Sequence, residues 1–221
     1  MNHKMNLEQA RFNMIEQQIR PWDVLDAHVL HLLSVVKRED FVPVAHKALA
    51  FVDMEIPLPG GQVMLAPRVE ARLLQDLGVQ KHEKVLEVGA GSGYMAALLA
   101  HRAQRVITLE INPQLATLAR SNLQMAGIYN AEVRHLDGAR GAPAEGPFDV
   151  ILLSGSVAQV PPSLLAHLKI GGRLGAIVGD EPMMRTTFVS RLGETQYRTI
   201  QPWDTVAPRL LNFPEPSHFV F

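Results

Sequence analysis

The chain contains no cysteine in its 221 residues. Disulfides, thiolate metal sites and cysteine nucleophiles are thereby excluded. An excess of either charge is also missing: 21 Lys and Arg stand against 22 Asp and Glu. The basic residues are scattered rather than striped, which argues against a broad electrostatic footprint for nucleic acid. No apolar run approaches the roughly 18 residues of a membrane span, and Met1–Asn6 carries no apolar signal region. A cytoplasmic chain without membrane partners is expected. Only two tryptophans occur, Trp22 and Trp203, and core or rim packing suits them better than stacking on a substrate. His28 and His31 stand three apart on a helix without a third ligand, so no metal site is expected. The length suits a single domain, 1–221, burying roughly 70% of its unfolded surface.

Among the features present, Glu87-Val-Gly89-Ala90-Gly91-Ser92-Gly93-Tyr94 is the most informative. It follows the apolar run Lys84-Val85-Leu86 and precedes the helix-like Met95–Ala100. A strand ending in an acid, three glycines at alternate positions and then a helix make a nucleotide-binding turn. Glycine permits positive φ there and lets a ligand approach the backbone. Glu110 ends a second apolar run, Arg105–Leu109, at the distance from the turn that suits an acceptor of ribose hydroxyls.

From about residue 84 strands and helices alternate, which predicts an α/β, doubly wound, mostly parallel sheet with helices on both faces. Strands are expected at Arg105–Leu109, Glu132–Leu136, Phe148–Leu153 and Arg173–Val178, the third with the run Val150 to Leu153 of a fully buried strand. Ser92 is read as the N-cap of the first helix. Asn112 with Pro113 should open the next, and Gly127 should stop it. A short helix is expected from Pro161-Pro162 to Leu168-Lys169. Thr186–Ser190 and Gln196–Val206 should form a closing antiparallel hairpin. Residues 1–83 read as a helical extension: Phe12, Ile15 and Ile19 share one helical face, and Val24–Val36 gives a second amphipathic segment. A proline- and glycine-rich stretch, Ile56–Gln62, follows.

The tight G-x-G-x-G spacing after an acid resembles motif I of class I S-adenosylmethionine-dependent methyltransferases. Over nearly its whole length the chain resembles the protein-L-isoaspartate O-methyltransferase family. Met14-Ile-Glu-Gln17-Gln18-Ile19 matches the opening "MVxxQI" helix, and Val29 to Pro43 matches "VLxAMxxVPRExFVP". Gly89–Ala100 is similar to "GTGSGYQAAVLA", Leu136–Gly141 with Pro147–Ile151 to "GDGxxGxPxxxPFDxIxV", and Leu168–Gly179 to "LKxGGRLVxPVG". The resemblance implies a Rossmann-like, seven-stranded sheet, with 1–83 on the substrate side and 84–221 as the cofactor-binding core. It implies S-adenosylmethionine as cofactor and damaged protein or peptide bearing isoaspartate as partner. Glu87, Gly89, Ala90, Gly91, Ser92, Gly93, Glu110 and Ile111 would hold the methionine and ribose, and Asp137-Gly138 the adenine. For Asp137-Gly138 an ordinary turn is the alternative reading.

The family's substrate loop, "GQTISxP", has its counterpart in Gly61-Gln62-Val63-Met64-Leu65-Ala66-Pro67. Val63 stands for the threonine and Leu65 for the serine regarded as the active-site residue. Two hydroxyls, Ser154 and Ser156, stand instead in the loop after the fourth strand, and it is left open whether either takes over. An isoaspartyl carboxylate is ionised at neutral pH and needs no general base, so a lost hydroxyl harms orientation rather than proton transfer. Roughly one to two decades of rate hang on such a hydrogen bond. Two other expectations stand beside carboxylate methylation: a more apolar small-molecule acceptor suited to Val63, Met64 and Leu65, or a catalytically silent cofactor-binding domain. Met54 and Met64 flank the loop as gap fillers. Arg68 is read either as a partner for a substrate carboxylate or as a surface arginine.

Overall fold

The computed structural model describes residues 6–215. The opening residues, on which the lack of a signal region was read, lie outside that span except for Asn6. Two short helices begin the described chain. Helix α1 (Leu7–Met14) is capped by the Asn6 side chain. It runs into a π turn at Ile15–Ile19. A π turn takes up one extra residue per turn and rotates the helical face. The expected face of Phe12, Ile15 and Ile19 is corrected at one position: Phe12 is 57% exposed, while Ile15 and Ile19 are buried with Arg11 and Met14. Helix α2 (Ala27–Val35) starts at Asp26, whose carboxylate accepts from the backbone N–H of His28 and Val29.

The irregular stretch contains a two-residue strand pair, β1 (Ile56–Pro57) and β2 (Val63–Met64), which folds the substrate loop back on itself. Helix α3 (Pro67–Leu77) follows directly and was not foreseen. Its signals are local: proline in the first turn, apolar residues at Val69, Leu73, Leu74 and Leu77, and a left-handed Gly78 at the stop.

The remainder is the expected alternation: β3 (Lys84–Val88), α4 (Tyr94–Arg102), β4 (Arg105–Glu110), α5 (Pro113–Met125), β5 (Ala131–His135), β6 (Phe148–Val157), α6 (Pro162–Leu165), β7 (Leu168–Asp180), β8 (Met183–Arg191) and β9 (Tyr197–Ile200). The seven-stranded sheet has the order β5-β4-β3-β6-β7-β8-β9. Strands β5 to β7 are parallel, and β8 runs antiparallel to both of its neighbours. Strand order reverses between β3 and β6, the switch point at which open α/β sheets bind ligands.

Asn112 caps α5 through Gln114 and Leu115, and Gly127 stops it in a left-handed turn, both as expected. Three boundaries differ. Strand β6 continues through Ser154–Val157, and β7 begins at Leu168, where a helix end was expected. A register shift between Phe148 and Val150 lets the backbone pass Gly172, where a Cβ would lie 2.9 Å from the Asp149 carbonyl oxygen. The hairpin closes at Ile200 rather than Val206. Side chains alternate across the sheet. Val85, Val106, Val150, Leu152 and Ile177 pack against α2 to α5 and the N-terminal extension. Leu86, Val88, Ile107, Leu109, Ile151 and Leu153 pack on the other face with Leu164 and Phe213.

Candidate cofactor and acceptor sites

The glycine turn leaves the end of β3 with Gly89, Gly91 and Gly93 all at positive φ. Gly93 is held by backbone, Gly89 only by a side-chain tip. A Cβ on Gly93 would meet the Ala119 backbone at 3.2 Å, and one on Gly89 would meet Leu210 Cδ2 at 3.0 Å. Gly93 itself starts α4 in the left-handed region, so Ser92 is not the N-cap. Ser92 is buried instead, and its carbonyl accepts from Asn122 Nδ2 at 2.8 Å.

Two carboxylates order this turn. Glu110 Oε2 accepts from Gly91 N at 2.8 Å and Oε1 accepts from Asn112 N at 2.9 Å. It thus ties the turn to the start of α5, and each oxygen retains a lone pair for a hydroxyl donor. Glu87 is fully buried; Oε1 accepts from Ser154 Oγ at 2.7 Å, and among the described residues Oε2 has no hydrogen-bond partner. Burial pushes the Glu87 carboxyl up to about 7, against the pull of the Thr108 and Ser154 hydroxyls.

A cavity of about 60 Å³ lies over the turn, lined by Gly89, Gly91, Glu110, Ile111 and Gly138 together with Gln62, Val63 and Ser154. Leu210, Leu211 and Phe213 line it from the C-terminal segment, which carried no sequence signal. Adenosyl-sized ligands need roughly 300 Å³ or more. Leu210, which lines the cavity beside Gly89, narrows the space and must shift to admit such a ligand. The residues otherwise fit it: a cradle that side chains on the glycines would fill, and an acid, Glu110, at the second strand end; Glu87 is not among the lining residues and reaches the wall only through its bond to Ser154. Asp137 stands apart from the expectation. It is not among the lining residues, and its oxygens accept from Ala139 N and Asn212 Nδ2, each at 3.0 Å. Asp137 is a turn cap here, and Gly138 is the member of the pair that faces the cavity.

A second cavity, about 30 Å³, adjoins the first. Val63, Met64 and Leu65 of the substrate loop close one side, Ala90 and Ser92 of the glycine turn another, and Ser154 a third. Tyr94, Met95 and Glu70 complete it. Pro67 lies just beyond, opening α3. Glu70 is ion-paired with Arg38, which is fully buried and also donates from Nη2 to the Leu65 carbonyl oxygen at 2.7 Å. Burial raises the Glu70 carboxyl toward about 7 while Arg38 opposes the shift. The sequence does hold a signal for Glu70, an acid on the apolar stripe of α3. Ser156 does not join Ser154. Its backbone pairs with Pro208 and Leu210, and its hydroxyl accepts from Arg209 at 3.4 Å. Arg68 is likewise withdrawn, paired with Asp53 at 2.5 Å and stacked 4.0 Å over the Trp22 ring. Among the described residues no three His, Asp or Glu side chains are gathered to hold a metal, and no helix is long and apolar enough to cross a membrane.

Comparison with known proteins agrees with this geometry. Residues 9–202 match the family model described as protein-L-isoaspartate(D-aspartate) O-methyltransferase. A protein-L-isoaspartate O-methyltransferase 1 from Syntrophobacter fumaroxidans is 42% identical over 176 residues, covering 80% of this chain and 82% of the relative. One from Rhodopseudomonas palustris is 40% identical over 186 residues, covering 84% of this chain and 85% of the relative. In fold the chain is similar to a Plasmodium falciparum structure described as a protein-L-isoaspartate O-methyltransferase in complex with S-adenosyl-L-homocysteine. That likeness has a TM-score of 0.79 at 19% identity and covers 90% of this chain and 97% of the other. The chain belongs to the protein-L-isoaspartate(D-aspartate) O-methyltransferase family and is an S-adenosylmethionine-dependent methyltransferase.

Proposed function

We propose that this chain methylates the free carboxylate of isoaspartyl residues in damaged proteins, using the two adjoining cavities as cofactor and acceptor sites. One observation carries the reading: Val63, Gly89, Gly91 and Ser154 line both cavities, so donor and acceptor would meet across a shared wall. The cofactor supplies a methyl group on a sulfonium, an excellent leaving arrangement. The protein's task is alignment and exclusion of water.

In this reading Glu110 accepts the ribose hydroxyls while holding the turn, and Glu87, buried behind the cavity wall, sets its charge behind Ser154 on the side of the cofactor's cationic end. Gly138 offers backbone to the adenine. Ser154 stands at the junction, where its hydroxyl supports Glu87 and borders the acceptor. The acceptor carboxylate arrives ionised and needs no base. Residues 1–83 supply the substrate side and 84–221 the cofactor side of one domain acting in the cytoplasm. Leu65, buried at the position of the family's serine, leaves the loop without that hydroxyl.

The test is direct. The purified chain is incubated with methyl-labelled cofactor and an isoaspartyl peptide; base-labile label on the peptide is expected. Cofactor binding without label transfer would defeat the assignment in favour of a different, more apolar acceptor. Leu65→Ser is expected to raise peptide turnover by about tenfold, the worth of one hydrogen bond to a charged group.

A further inference from the structure

Buried ionic groups that chemistry does not use are costly, and the cluster behind the acceptor cavity is such a case. Glu70 sits on the first turn of α3, immediately after the substrate loop, and is 4% exposed. Its Oε2 is paired with Arg38, whose second nitrogen holds the Leu65 carbonyl. The Arg38 guanidinium also lies 5.1 Å over the Tyr94 ring. Among the described residues, Glu70 Oε1 accepts no hydrogen bond, although the side chain lines the acceptor cavity. With Arg38 beside it the pair carries no net negative charge in either protonation state, so that oxygen offers an acceptor without net repulsion toward an incoming carboxylate.

We infer that Glu70 is a specificity-determining residue that accepts a hydrogen bond from the backbone N–H of the acceptor residue. This inference rests on the isoaspartyl reading above. In an isoaspartyl residue the free carboxylate and the N–H are attached to the same carbon. A side-chain carboxylate of an aspartyl residue is one methylene further away. A fixed acceptor beside the carboxylate site therefore reads the linkage itself, and it anchors the acceptor at the side where Leu65 provides no hydroxyl. Arg38 is the positioning residue. It fixes the Glu70 carboxyl and the Leu65 backbone in one geometry.

The experiment compares an isoaspartyl peptide with its analogue methylated on the isoaspartyl nitrogen. With the wild-type chain the N–H peptide should exceed the N-methyl peptide in kcat/KM by roughly ten- to hundredfold, the range for a hydrogen bond to a charged group. In the double variant R38M/E70L, which leaves no orphaned charge, that ratio should fall to about one. In E70Q, which keeps an oxygen for Arg38, it should fall as well. Cofactor affinity measured by calorimetry should be unchanged in both variants, which verifies the fold. A ratio equal in wild type and variants, or no preference in the wild type, overturns the role of Glu70 and leaves the isoaspartyl activity standing. Absence of turnover on the N–H peptide by the wild type overturns both.

Discussion

At the scale of single residues, the proposed cofactor site depends on two carboxylates that order the glycine turn, Glu110 and Glu87. Glu110 stabilises the glycine turn through two backbone N–H groups, and the same oxygens are the proposed ribose acceptors. Glu110→Gln, which keeps one acceptor oxygen, is expected to weaken cofactor binding about tenfold in calorimetry. Glu110→Ala should weaken it about a hundredfold, since backbone donors are then left unpaired as well. Glu87 makes a different prediction. Its carboxyl is raised to about 7 by burial, so the folded chain holds a proton that a solvated glutamate would have released. A cationic ligand favours the ionised form. Cofactor affinity should therefore rise with pH up to about 7 and level off above it, with proton release on binding below that point. Calorimetry in buffers of different ionisation enthalpy reads both, and Glu87→Gln should flatten the profile.

At the scale of elements, the glycine turn and its helix form one unit. Gly93 has φ +86 and faces the Ala119 backbone, so Gly93→Ala should cost about 1–3 kcal/mol of stability in denaturant unfolding. Elements with such local punctuation were legible in the sequence: the acid and glycines after β3, Asn112-Pro113 before α5, and Gly127 after it. Helix α3 carries a readable apolar stripe, Val69, Leu73, Leu74 and Leu77, but the buried acid Glu70 stands within it and a proline- and glycine-rich stretch precedes it. The end of β6 was missed because Ser-Gly-Ser has the composition of a loop, and only the partner strand and Pro208 make it extended. Leu210, Leu211 and Phe213 reach the cofactor cavity purely through tertiary packing, which leaves no local pattern to read. The same holds for Asp137, whose side chain is claimed by Asn212, 75 residues away in the chain. In the first helix the buried face is centred on Arg11, Met14 and Ile15, so Phe12 falls at its edge although it is apolar.

At the scale of the whole molecule, residues 1–83 are linked to the rest of the fold by Glu83 with Arg173 and by Asp76 with Trp203, and are braced within themselves by buried ion pairs. Arg11 pairs with Glu39, and the adjacent Arg38 pairs with Glu70. Removing one member of such a pair leaves an uncompensated charge and costs about 3–5 kcal/mol. Glu39→Ala is accordingly expected to lower the unfolding midpoint sharply, by more than a typical surface substitution. Replacing Arg11 and Glu39 together by apolar residues of similar size should restore most of the loss.

Both tryptophans of the chain face one stripe of α3. Trp22 lies under Arg68, while Trp203 donates to Asp76 at 2.7 Å and lies 5.0 Å from the Arg72 guanidinium. The helix that begins where the substrate loop ends is thus flanked by both indole chromophores. Intrinsic emission then becomes a native optical gauge of that helix, free of labels. Peptide added with S-adenosylhomocysteine should change its intensity or wavelength if α3 responds to the acceptor, and Trp22→Phe with Trp203→Phe would apportion the signal between its two ends.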